Sequence, residues 1–128
     1  VPNTTARTNA ARTSAHTDAL AVSPDDIVRR LAGALGKNLL ALIVGRDVRT
    51  ISRWVENEQL RLGPTDERIV RNTYQVFALL LSVEGEHTIR AWFMGMNPQL
   101  EDEAPAEALS EGRFREVMAA ARAYVNGG

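Results

Sequence analysis

Three things are scarce in this 128-residue chain: cysteine, long apolar runs, and any surplus of charge of one sign. With no cysteine there is no disulfide scaffold, no thiolate metal site and no cysteine nucleophile. The longest apolar run, Val76, Phe77, Ala78, Leu79, Leu80 and Leu81, is far shorter than the roughly 20 residues that a membrane-spanning helix needs. Fifteen Lys and Arg stand against sixteen Asp and Glu, a formal net charge of -1. That balance argues against a uniformly basic nucleic-acid binder and against an acidic solvating tail. No charged-then-apolar leader opens the chain, so a cytoplasmic location and no membrane partner are expected.

Catalytic constellations are missing too. Gly36 and Lys37 resemble the end of a phosphate loop, but Leu31 stands where its first glycine belongs and Asn38 where its Ser or Thr belongs. His16 and His87 have no second histidine or carboxylate at a ligand spacing. The consecutive carboxylates Glu101, Asp102 and Glu103 point in different directions and read as a solvated loop. There is no nucleophile elbow and no dinucleotide fingerprint. The chain is not expected to be an enzyme, and neither a cofactor nor a metal is called for.

What the sequence does contain is helical periodicity. Residues 1–22 are rich in Thr, Ala, Asn and Arg without aromatics, and are expected to form a disordered arm. Arg7 and Arg12 are the basic groups such an arm can bring to DNA, although a solubility tail is the plainer reading. Ser23, Pro24, Asp25 and Asp26 then open a helix carrying Ile27, Val28, Leu31 and Leu35, with Gly36 as a left-handed stop. A short helix after Asn38 carries Leu39, Leu40, Ile43 and Val44 and ends at Gly45. Asp47 caps a third helix, with Val48, Ile51 and Val55 inward. A long helix from a Thr65 cap turns Ile69, Val76, Phe77, Leu80 and Leu81 inward. Further helices are expected over 86–94, from Pro105 towards Gly112, and through Phe114, Val117, Met118, Ala121 and Tyr124. No period-2 pattern and no internal repeat occur. The expectation is an all-α fold of about seven helices: a helix–turn–helix half over 23–72, joined by a long helix to a small module over 73–128.

Two segments carry functional signal. In the first, Gly45 and the capped turn at Asp47 separate two short helices, the arrangement a helix–turn–helix needs. Turning Val48, Ile51 and Val55 inward leaves Arg49, Thr50, Ser52, Arg53 and Glu56 outward, with Arg46 at the turn. Arginines one helical turn apart can pair with phosphates or fork onto guanine. The bland alternative is a scaffold whose arginines are merely solvated. Thr50, Ile51, Ser52, Arg53 and Trp54 resemble the T-[IV]-S-R-W recognition helix of Xre-type repressors, and Gly45 falls at the usual distance before it. That resemblance implies sequence-specific DNA binding. The chain departs from the family after Trp54, where Val55, Glu56, Asn57, Glu58 and Gln59 replace a polar, glycine-bearing turn and weaken attraction to phosphates.

The second segment places Trp92 and Phe93 at a helix end, then Asn97, Pro98 and Leu100, then Pro105, Leu109 and Gly112. Read physically, this is a helix stopped before proline, followed by a short proline-begun helix, with Trp92, Leu100 and Leu109 filling a small core. The pattern W-x-x-x-x-N-P-x-L followed by P-x-x-x-L-x-x-G is similar to the toxin-binding domain of Xre/MbcA/ParS-type antitoxins, and Val117 is in register with that family's apolar helix. The resemblance implies an antitoxin that dimerises, joins a RES-domain toxin of a NAD-degrading family in a larger hetero-oligomer, and represses its own operon. It also implies that the chain's end, Tyr124, Asn126, Gly127 and Gly128, lies at the toxin's active-site mouth. Phe93, rotated about 100° from Trp92, is expected to be an outward anchor beside Trp92, Asn97, Pro98 and Tyr124. The acidic loop 101–103 could steer a basic partner. A stand-alone Xre-type regulator whose C-terminal module only dimerises is the alternative.

The near-zero charge divides unevenly along the chain. Residues 1–72 carry a net +3 and residues 73–128 a net -4, so neutrality arises by cancellation between the two halves.

Overall fold

Helix formation starts at Ser23, whose extended backbone leads into a proline at the first helical position. The Ser23 hydroxyl donates to Asp26 Oδ2 at 2.9 Å and makes no side-chain cap. Asp25 and Asp26 therefore favour the helix chiefly through its dipole. The computed structural model describes residues 22–127. Arg7, Arg12 and His16, the rest of the expected arm apart from Val22, and Gly128 lie outside the described residues.

The described residues form seven α-helices: α1 (Pro24–Leu35), α2 (Lys37–Val44), α3 (Val48–Glu56), α4 (Pro64–Leu81), α5 (Glu86–Met94), α6 (Pro105–Ser110) and α7 (Phe114–Val125). A single 3-10 turn, Pro98–Leu100, lies between α5 and α6. No strand occurs among the described residues, so the all-α expectation holds. No described helix is long and apolar enough to cross a membrane.

Several local expectations need correction. Gly36 adopts φ 89° and ψ 150°, which is not a left-handed helical stop but a region essentially reserved for glycine. The chain turns so sharply there that α2 begins at Lys37, ahead of Asn38. Gly63 caps α4 with Pro64 at its first position, so Thr65 is already helical. Val48 and Leu81, expected inward, are exposed because they are the first residue of α3 and the last of α4, beyond the packed middle of each helix.

The Gly36 geometry predicts a measurable cost. A Cβ there would lie 3.4 Å from the Arg90 guanidinium, which is flexible enough to yield, so backbone strain dominates. Gly36→Ala should lose about 1–3 kcal/mol in urea unfolding. An unchanged midpoint would mean that the chain passes this point in another conformation.

Packing joins both halves of the chain in one core. α1 lies against α2, α3, α4 and α5, while α2 lies against α3 and α4 and also reaches α6. Leu39, Leu40 and Ile43 share a single buried cluster with Phe93, Leu109 and Val117. The 72/73 boundary drawn from the sequence falls inside α4. The connection between α3 and α4, residues 57–63, is pinned to the same core by Leu60. Thr73, the one buried polar side chain among the described residues, donates to the Ile69 carbonyl at 2.8 Å.

Candidate functional site

Two surfaces gather the residues singled out by the sequence. The first is built on α2, the turn over 45–47, and α3. Gly45 takes the left-handed helical conformation, φ 74° and ψ 36°, which ends α2 and reverses the chain. Asp47 Oδ1 accepts the Arg49 backbone N–H at 2.8 Å, the expected N-cap of α3. Ile51 is fully buried, and Trp54 and Val55 pack half-buried against the core. α3 packs against α1 and α2, and its other face is left to solvent.

That free face carries Arg49 and Arg53, with Thr50 and Ser52 half-buried between them. The Arg49 side chain is 90% exposed, and its Nε lies 3.8 Å from Asp47 Oδ1. Arg53 donates to Thr50 Oγ1 at 3.1 Å, which aligns the two side chains along the helix. Arg46 is engaged differently. Its Nε and Nη2 donate to the two Asp66 oxygens at 3.1 and 2.9 Å, a bidentate pair with the first turn of α4. Asp66 was missed by sequence reasoning, since nothing local links residues 20 apart. The pair ties the turn to α4 and makes Arg46 a positioning residue for α3.

The second surface is a cleft of about 350 Å³ between the end of α5, the 3-10 turn and α7. Trp92, Asn97, Pro98 and Tyr124 all line it, so four residues spread over more than thirty positions converge on one concavity. Asn97 serves mainly as scaffold: its Oδ1 accepts the Gln99 N–H at 3.0 Å, and its carbonyl accepts N–H groups from Leu100 and Asp102. The Tyr124 hydroxyl donates to Glu84 Oε1 at 2.8 Å, and this hydrogen bond to a carboxylate holds the phenol above its usual pKa. Asn126 and Gly127 follow α7 as an exposed tip, with Gly127 at φ 85°.

Phe93 does not belong to this surface. It is fully buried, with its ring 5.3 Å from that of Trp92 in an edge-on arrangement. The rotation between neighbours is real, but Phe93 points into the core and Trp92 towards the cleft. Ile89, one helical turn earlier and also buried, was the available signal. The side chain that does stand out at the cleft is Met96, 81% exposed. It follows the end of α5, where helical periodicity no longer places residues.

The acidic loop is less free than expected. Arg113 pairs with Glu103, and donates to Glu116 at 2.7 and 3.2 Å, with Glu111 at 3.5 Å. The guanidinium holds the Glu116 carboxyl below its ordinary pKa. Glu101 and Asp102 remain exposed, both at positive φ (53° and 66°), as the loop turns back towards α6. Among the described residues no cluster of three His, Asp or Glu side chains is arranged to hold a metal ion. Comparison with family models, with curated proteins and with solved structures returns no match.

Proposed function

We propose that the chain is an antitoxin that captures a RES-domain, NAD-degrading toxin through the α5–α7 cleft and represses its own operon through α3. The observation that carries this reading is the convergence of Trp92, Asn97, Pro98 and Tyr124 on one concavity, with Met96 exposed at its edge. Aromatic and methionine side chains around a rigid hollow are the composition of a protein-binding hot spot. The backbone there is rigid because Asn97 holds the turn that shapes it. On α3, the exposed Arg49 and the aligned Arg53 and Thr50 supply donors suited to phosphates and guanine edges. The net positive charge of residues 1–72 agrees with an anionic partner on that side, and the net negative charge of residues 73–128 with a basic one on the other.

Co-expression with the product of the adjacent gene tests the capture step. The parent chain should relieve growth arrest by a RES-domain neighbour and co-purify with it. Met96→Glu should weaken that capture by about 2 kcal/mol, roughly thirtyfold, while leaving the melting temperature unchanged. Undiminished capture by this variant would remove the cleft from the interface. A parent chain that retains its upstream DNA and ignores the neighbour would leave the stand-alone regulator as the reading.

A further inference from the structure

The cleft between α5, the 3-10 turn and α7 is uncharged within and acidic around. Trp92, Met96, Asn97, Pro98, Gln99 and Tyr124 line it, and among the described residues no lysine, arginine or histidine does. Beside it stands Glu84, whose Oε1 accepts the Tyr124 hydroxyl at 2.8 Å. Glu84 is half-buried and forms no ion pair among the described residues. Past Gln99 the chain runs through buried Leu100 into Glu101 and Asp102, both exposed and likewise without an ion pair there. The cations nearest in sequence are turned elsewhere. Arg122, two residues before Tyr124, stands about 200° around α7 from it. Arg90, two residues before Trp92, lines a separate groove with α2 and α6.

We propose that the cleft seats a lysine or arginine side chain of the captured protein, its cationic head against the Trp92 and Tyr124 rings and its charge met by Glu84. The inference rests on the reading of this cleft as the capture surface, and adds the chemistry of what enters it. A phenol has one proton, and Tyr124 commits it to Glu84, so the phenol oxygen can only accept from a partner. A carboxylate and an accepting oxygen beside two aromatic residues suit a cationic donor, which bonds the oxygens and is attracted to the ring faces. An acidic segment would meet Glu84 with like charge. A purely apolar one would strip water from that carboxylate and leave it without a counter-charge. Lysine and arginine also bury their aliphatic stems along apolar surface, and Met96 at the edge of the cleft supplies it.

Titration of the free chain with N-acetylarginine amide, followed through the Trp92 indole N–H signal, reads the seat without any partner protein. The signal should move with this probe and stay in place with N-acetylcitrulline amide, which has nearly the same shape and no charge. Glu84→Gln should lose most of the response, although glutamine still offers the Tyr124 hydroxyl an acceptor. In the same variant, capture of the RES-domain neighbour should weaken at least about tenfold, by a factor that shrinks as salt is raised. A thermal melt of the variant should match the parent. Equal responses to the two amides, no response to either, or a Glu84→Gln variant that captures as the parent does would each overturn the proposal. A parent chain that answers the arginine probe and ignores the neighbour would keep the cation seat and remove the toxin from it.

Discussion

Phe93→Ala will unfold the protein well before it tells anything about partner binding. Phe93 is fully buried on α5, a helix packed against α1, α4 and α6, and its ring meets that of Trp92 edge-on. Truncating a phenylalanine in such a site typically costs about 3–5 kcal/mol, through lost transfer energy and the cavity left behind. Domains of this size are stable by only about 5–15 kcal/mol. The melting temperature should therefore fall by more than about 10 °C, and the urea midpoint should fall with it. Trp92 loses the ring that backs it, so the cleft would loosen as well. A variant melting within a few degrees of the parent would put Phe93 at the surface after all.

Phe93 also marks how far the sequence could be read. Adjacent residues on a helix lie about 100° apart, so Trp92 and Phe93 had to face different ways. Which of them faced inward depended on what α5 packs against, and three other helices decide that. Ile89 one turn earlier held the answer locally, yet the resemblance drew attention to the aromatic pair. Local chemistry misplaces the stop at Gly36 and the cap at Thr65, but it suffices at the turn that follows α2. Gly45 and Asp47 set the turn between α2 and α3 through a left-handed glycine and a carboxylate cap. Residues 86–94 form a helix as spaced. Met96 lies past the end of periodicity, and the Arg46–Asp66 pair joins positions that only the fold brings together. The convergence of Trp92 and Tyr124 on one hollow is likewise tertiary.

Reversing both arginines of α3, R49E/R53E, will abolish retention of the DNA fragment upstream of the gene while the fold survives. An arginine that forks onto guanine contributes about 1–3 kcal/mol of discrimination, one that grips phosphate adds sequence-independent affinity, and two glutamates in their place add repulsion. Affinity should drop by more than about a hundredfold, with a shallower dependence on salt. Stability should hold within roughly 0.5 kcal/mol, because both side chains reach solvent. A glutamate at position 49, in the first turn of α3, even suits the positive end of the helix dipole. Gel retardation against the upstream fragment and an unrelated duplex, alongside a thermal melt, separates the two effects. If the variant retards the upstream fragment as the parent does, α3 is a scaffold and its arginines are solvated.

The position of α2 has a consequence for how this chain can change over generations. One face of α2 supports α3 and another reaches α6, while Leu60 ties the connection over residues 57–63 to the same core. Crossing residues 23–72 onto a foreign C-terminal half would strip Leu39, Leu40 and Ile43 of their cover, and the joint would fall inside α4. The two halves share one buried core. Substitutions of exposed side chains such as Arg49 or Met96, by contrast, leave that shared core in place.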